Sequence, residues 1–227
     1  MIIRSGLIRN RDDIDFAGFT EHWRDVHGPL ALRVVGMVAY TQNHIVERLH
    51  ENPANPLHRV DGISQLYFED VEAMRGAMDS AEQRACIEDI RGFLSDVTLL
   101  IQRQGELRWL GAPRSTDAKL IYLLSGRADR IERAVGSLHA RLSSSVPAGA
   151  VRYNPVIDRS FAVDSSVPSG SQAVDGVFEA WLPADAATAL DGQGFADDEI
   201  DVVASFRVAE YVLSSGPGAD NRMAEGG

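Results

Sequence analysis

Val60-Asp61-Gly62-Ile63 is echoed by Val174-Asp175-Gly176-Val177, at an offset of 114 residues (175 − 61). Each tetrapeptide leads into an apolar strand that closes on aromatic residues and an acidic turn. These are Leu66-Tyr67-Phe68-Glu69-Asp70 in the first case and Phe178-Glu179-Ala180-Trp181-Leu182-Pro183-Ala184-Asp185 in the second. An alanine-rich helix start follows both. Upstream, Tyr40 has a counterpart in Tyr153, and this pairing places His44 opposite Ile157. A whole order of elements matching at nearly one offset marks an internal repeat.

Working outward, Ile2 to Ile8 reads as a strand. Phe16, Phe19, Trp23 and Val26 fall at helical spacing between Ile14 and Val26, with Asp12 or Asp13 as N-cap. Gly28-Pro29 should end that helix, because the residue before proline is pushed out of the α region. Val34 to Val46 is rich in β-formers, and Glu51 to Leu57, with Asn-Pro twice, reads as a loop. A strand over Gly62–Phe68 and a short helix over Val71–Met78 follow. Ser80-Ala81-Glu82-Gln83 fits a capping box for a helix from Ala81 to Leu94, and Val97 to Leu107 is a strand. The sum is β-α-β-β-α-β, the ferredoxin-like order. The second half repeats it. Lys119–Leu124 is a strand, and Ile131, Val135, Leu138 and Leu142 form a helical stripe. Ala150–Ile157, Ala173–Trp181 and Val202–Leu213 are strands, with a Ser/Gly-rich loop over Ser165–Gln172.

The predicted fold is therefore α+β, with two tandem ferredoxin-like units at 1–110 and 118–215, a linker at 111–117 and a flexible tail at 216–227. Several strands carry large apolar residues on both faces. Stacking the two sheets would bury the second face, giving a pseudo-dimeric α/β barrel inside one chain with the helices outside. The fused chain could dimerise again through an edge or helix face.

Composition narrows the partners. Of 227 residues, 44% are hydrophobic and 24% charged, as in ordinary globular proteins. A net charge of −11 disfavours nucleic acid and anionic membranes. A single cysteine, Cys86, excludes an internal disulfide, and no stretch reads as a signal peptide or a membrane span. The expected setting is the cytoplasm. His22 and His27 stand five apart, not the three or four that put two ligands side by side on a helix. No zinc motif, phosphate loop or nucleophile elbow occurs. No metal and no cofactor are expected.

The residues able to do chemistry concentrate in the first half, which holds five of the six histidines. Phe19, Trp23 and His27 are each four apart and share a helix face. His27 at the end of that helix feels both the helix dipole and burial, opposing influences that can tune a general acid or base. Tyr40, Gln42 and His44 alternate onto one face of a strand, and Tyr67 on another strand could join them. The expected site has His27, Tyr40 and His44 as catalytic groups, with Phe19, Trp23, Gln42 and Tyr67 holding a mostly apolar molecule that carries one polar or acidic group. Cys86 reads as a small buried hydrophobe. His50 and His58 read as solvent-facing.

The run Phe19-xxx-Trp23-xxx-His27-x-Pro29-Leu30, with Gly36, Tyr40 and His44 beyond it, resembles the EthD family of dimeric α/β barrels. So does the later Val-Asp-Gly-Ile, Leu-Tyr-Phe-Glu-Asp pattern. The resemblance covers roughly Ile2 to Leu107 and is faint in the second half, where no Trp-xxx-His-x-Pro run surrounds His139. It implies the ferredoxin-like fold and barrel pairing, and a role in catabolism of ethers or aromatic-derived compounds or in polyketide-type tailoring. The wider superfamily includes cofactor-free isomerases, cyclases and monooxygenases, and some haem proteins. A related methylmuconolactone isomerase is similar around the equivalents of His27 and Tyr40. The leading expectation is a cofactor-independent isomerase, dehydratase, cyclase or monooxygenase acting on a small hydrophobic substrate. The rivals are a non-catalytic binding or accessory protein and a haem-binding barrel. The second unit is expected to complete the core with a closed or decayed pocket.

Overall fold

The computed structural model describes residues 1–54, 59–111, 118–170, 173–190, 195 and 200–214. His58, most of the linker and the tail lie outside them.

The first half runs β1 (Ile2–Asn10), α1 (Phe16–His22), a π-helical turn (Trp23–His27), α2 (Gly28–Ala31), β2 (Met37–Glu51), β3 (Gly62–Phe68), α3 (Val71–Met78), α4 (Ala81–Phe93) and β4 (Leu94–Arg103). A two-residue β5 (Arg108–Trp109) precedes the second half. That half consists of β6 (Ala118–Ser125), α5 (Ala128–Ser145), β7 (Ala150–Asp158), β8 (Gly176–Leu182), α6 (Ala184–Leu190) and β9 (Asp201–Ser214). The strands pair antiparallel in the order β4-β1-β3-β2-β9-β6-β8-β7, and β4 also pairs with β7. The circuit is thus a closed eight-stranded antiparallel barrel in a mixed α+β chain. Closure removes the open sheet edges that would otherwise invite pairing with other chains. No helix among the described residues is long and apolar enough to cross a membrane.

Local signals explain most elements. Asp70 and Ser80 cap α3 and α4, accepting from the backbone N–H of Ala73 and Gln83. Two helix boundaries differ from expectation. The N-cap of α1 is Asp15, two residues beyond Asp13, because its side chain accepts from Gly18 N at 2.7 Å. Gly28-Pro29 does not stop the helical path: Gly28 keeps helical φ/ψ of −54° and −54°. The turn before it is π-helical, and proline falls in the first turn of the new helix, where its missing N–H costs little.

The core has three layers. Leu7, Ile45, Ile63, Leu100, Ile121 and Phe206 fill one part of the barrel interior. The outer face of the first-half sheet packs on its helices through clusters around Tyr40, Phe68 and Met74, and around Phe19, Trp23 and Phe93. The outer face of the second-half sheet packs on α5, whose Ile131, Val135, Leu138 and Leu142 are buried, and on α6.

Hydrogen bonds repeat around the two Val-Asp-Gly segments. Asp61 N donates to Ile8 O, and Ile45 N donates to Asp61 O. Likewise Asp175 N donates to Leu124 O, and Val156 N donates to Asp175 O. The carboxylates repeat too: Asp61 accepts from Asn10 N at 3.0 Å and Asp175 from Gly126 N at 2.9 Å. Strand register corrects one alignment. Gln42 pairs with Ser64 as Tyr153 pairs with Phe178, and His44 faces Gly62 as Pro155 faces Gly176. The counterpart of Tyr153 is therefore Gln42, and that of His44 is Pro155.

Candidate functional site

Strand alternation turns Arg4 of β1, Tyr40 of β2 and Leu66 of β3 toward the helices, where the helical segment brings Trp23 and His27 and α4 brings Gln83, Cys86 and Phe93. Together they enclose a cavity of about 40 Å³ between sheet and helices. That space holds a few waters. One lining residue, Val163, comes from the second half. It belongs to a segment in which Phe161 and Val167 also pack on the first-half helices. Arg91 of α4 ties this segment down through Ser166 Oγ at 2.8 Å and Asp164 at 3.3 Å.

The π turn carries the two aromatic members. Gly28 N donates to Trp23 O across five residues, and Gln42 Nε2 donates to the same carbonyl at 2.7 Å. Such widened turns are frequent at functional sites. Trp23 Nε1 donates to the Tyr40 hydroxyl at 3.0 Å, and Gln42 Nε2 donates to it at 3.2 Å. Burial, against these two hydrogen bonds, pushes the Tyr40 pKa well above that of a free phenol. Tyr40 therefore stays protonated, with its own proton free to donate.

His27 is paired with a residue the sequence did not single out. Its Nδ1 lies 2.8 Å from Asp89 Oδ2, while His22 Nε2 lies 3.0 Å from Oδ1 of the same carboxylate. Burial alone would raise the Asp89 pKa. Hydrogen bonding and charge from His27, then His22, outweigh it and hold the group below the usual carboxylate value. With Nδ1–H donated to Asp89, Nε2 is the basic nitrogen of the ring.

The other expected residues divide by position. Trp23, His27 and Tyr40 line one cavity. His44 does not. Its ring lies 4.3 Å from Trp23 and 4.8 Å from Tyr211 by centroids, behind the tryptophan, with Nε2 at 3.0 Å from Gln42 Oε1. Burial, with a smaller contribution from Arg24, lowers its pKa to about 4, so it is neutral at neutral pH. Phe19 is stacked on Trp23, and Gln42 supports Tyr40; neither lines the cavity. Tyr67 faces the barrel interior with Ile3 and Ala39, because odd-numbered positions of β3 point inward. It cannot join Tyr40 across the sheet. Cys86 is buried as expected but lines the cavity, and burial raises its thiol to about 11, so it is not a thiolate at neutral pH.

Arg4 and Asp89 were the residues missed. Arg4 carried a signal: a charge breaking the apolar run Ile2-Ile3, on the strand face that meets the helices. Asp89 carried only its helical position.

A haem fits the donor set better than the space. Metal-bound histidines often donate their second ring N–H to a carboxylate, as His27 does. Pockets for cofactors and other small molecules, however, measure roughly 300–1,000 Å³, and this cavity is about 40 Å³. Haem does not fit the site as folded. Among the described residues there is no cluster of three or more metal-ligating side chains.

Residues 11–96 match the EthD domain. No curated protein matches the chain. Among solved structures, an anthrone oxidase-like protein aligns over 96% of each chain, with TM-score 0.58 and 10% identity. A monooxygenase-like protein from Lactobacillus acidophilus NCFM aligns over 95% of this chain and 96% of its own, with TM-score 0.53 and 11% identity. An EthD family protein from Bacillus halodurans C-125 shares 24% identity over 45% of this chain and 98% of its own, with TM-score 0.36. The two full-length alignments support the barrel fold.

Proposed function

The segment 11–96 belongs to the EthD domain family, and from that premise we propose that the chain is a cofactor-independent enzyme that moves a proton on a small hydrophobic or aromatic-derived molecule. His27 is the general base. The observation that carries this reading is the 2.8 Å His27–Asp89 pair on a cavity that Tyr40 also lines. Asp89 orients the ring and stabilises the imidazolium that forms when Nε2 takes a proton. Tyr40, held protonated by burial, can donate to the oxygen on which charge develops. Removal of a proton beside a carbonyl is a shared first step of isomerisation, dehydration, cyclisation and oxygenation of an enolisable ring. The anthrone oxidase-like and monooxygenase-like fold neighbours make enolisable polycyclic ketones the first substrates to try. A bound substrate needs more room than 40 Å³; providing it would require the wall supplied by Phe161, Val163 and Val167 to move and the Arg91 contacts to Asp164 and Ser166 to open.

The two halves are tandem ferredoxin-like units, 1–110 and 118–215, joined by a linker. The repeated Asp61 and Asp175 hydrogen bonds and the matching strand order support this. The second unit has lost the site: Arg4 pairs with Leu66 in the register in which Leu120 pairs with Ala180, so leucine stands where arginine would.

The test is deuterium exchange and oxygen uptake with anthrone-type ketones. His27→Ala should lower either rate by about 10²–10⁴, the span ascribed to general base catalysis, and Asp89→Asn should lower it less. Both variants should bind the ketone. Full activity in His27→Ala overturns the assignment. Binding without any turnover in the wild type would make the protein a carrier instead.

A further inference from the structure

Arg4 is the feature of this cavity that the proposed proton transfer does not use. It is only 7% exposed, yet among the described residues no carboxylate pairs with it and its Nε has no hydrogen-bond partner. Among the described residues, no Asp or Glu lines the cavity. The ionisable groups that interact with Arg4 are the Cys86 thiol and the Tyr40 phenol, and burial keeps both protonated. Burial lowers Arg4 itself to about 10, which still leaves it charged at neutral pH. A buried cation is expensive unless something compensates it. The barrel architecture does not require this one, since leucine fills the equivalent position on β6 in an apolar cluster.

We propose that Arg4 anchors the carboxylate of a hydrophobic acid bound in this cavity. The inference rests on reading the cavity as the reaction site, and it narrows the substrate class of that reading: an enolisable molecule with an apolar body that also carries one carboxylate. A guanidinium is suited to this task because its planar fork matches the two oxygens of a carboxylate. The free space suffices for the carboxylate, while the hydrocarbon part extends toward Val163, where the wall is supplied by the other half of the chain.

Calorimetric titration of the full chain at pH 7.5 tests the proposal with three acids, benzoate, cinnamate and hexanoate, each against its neutral amide. At least one acid should bind the wild type about tenfold or more tightly than its amide. Arg4→Leu should weaken that acid by about tenfold or more without weakening the amide, and Arg4→Lys should fall between, since it keeps the charge and loses the fork. Arg4→Leu should also unfold at no lower temperature than the wild type. His27→Ala should bind the acid normally, so loss of the base assignment leaves the anchor standing. Conversely, if turnover depends on His27 while acids and amides bind equally, the anchor alone falls. The proposal is overturned if none of the acids binds the wild type, or if folded Arg4→Leu binds the acid as tightly as the wild type. The acid–amide contrast on the wild type decides the matter even if Arg4→Leu fails to fold.

Discussion

At the scale of single residues, the first half places two histidines in contrasting surroundings. His27 shares a carboxylate with His22. His44 sits between Trp23 and Tyr211 and, among the described residues, has no carboxylate partner and no hydrogen bond to its buried Nδ1. Its pKa is about 4 in the fold, against about 6.5 for a free histidine. As pH falls below 6.5 the unfolded chain takes up a proton that the folded chain refuses. Stability from this residue is therefore full above pH 6.5 and declines until pH 4, by up to about 3 kcal/mol. Melting temperature measured against pH should show that decline in the wild type. His44→Phe, which keeps a ring against Trp23, should flatten it between pH 6.5 and 4; an unchanged slope would assign the decline to other groups. The sequence showed which residue types were present but not which way they faced. Tyr40 and Tyr67 both lie on predicted strands. Only the pairing of Tyr40 with Leu66 and of Ala39 with Tyr67 shows that they occupy opposite faces of the sheet. Asp89 was illegible because its role depends on a contact 62 residues away.

At the scale of elements, the Val-Asp-Gly segments acquire a physical reason. The aspartates tie strand ends together, and the glycines clear room for a ring. A Cβ on Gly62 would come within 2.3 Å of Trp23 Cζ3, and one on Gly176 within 2.4 Å of Tyr153 Cε2. The same small residue thus seats a helix-borne indole in one half and a strand-borne phenol in the other. Gly62→Ala should cost about 3 kcal/mol, at the upper end for overpacking. It should also perturb the Trp23–Tyr40 hydrogen bond, visible as a shift in tryptophan fluorescence. Gly76→Ala is the control: this exposed α3 position has nothing within 4 Å of the added methyl, so it should gain about 0.5–1 kcal/mol. Denaturant midpoints that moved equally for the two would refute the argument. Strand and helix order was legible because caps, stripes and the echoed Val-Asp-Gly segments agree with one another. The π turn was not. Phe19, Trp23 and His27 read as one regular helical face, and the wider turn is set by a Gln42 side chain that only the folded sheet brings to Trp23 O.

At the scale of the whole molecule, a polar thread runs through the barrel and joins the halves. Asn43 donates to Gln65 at 2.9 Å, Gln65 donates to Glu179 Oε1 at 3.1 Å, and Asn154 donates to Glu179 Oε2 at 2.8 Å. Register makes Asn43 and Asn154 counterparts, and likewise Gln65 and Glu179. The thread therefore occupies matching register positions in the two halves, with one amide exchanged for a carboxylate. Lys119 answers that carboxylate at 2.9 Å and reaches Glu210 at 2.7 Å, and both Lys119 and Glu179 are almost wholly buried. Burial opposes ionisation of Glu179, but Lys119 and then Arg152 outweigh it and bring its pKa to about 2. Its contribution is thus present above about pH 4.3 and lost as pH falls toward 2. Removing one partner of a buried ion pair leaves a charge uncompensated, which typically costs about 3–5 kcal/mol. Glu210 remains beside Lys119, so Glu179→Gln should fall near the lower figure, a drop in melting temperature of roughly 6–12 °C. Because β2–β9 and β4–β7 close one barrel from both halves, scanning calorimetry should show a single transition displaced as a unit. Two separated transitions in the variant would mean that the halves are stable bodies in their own right, and that the barrel seam adds little to either.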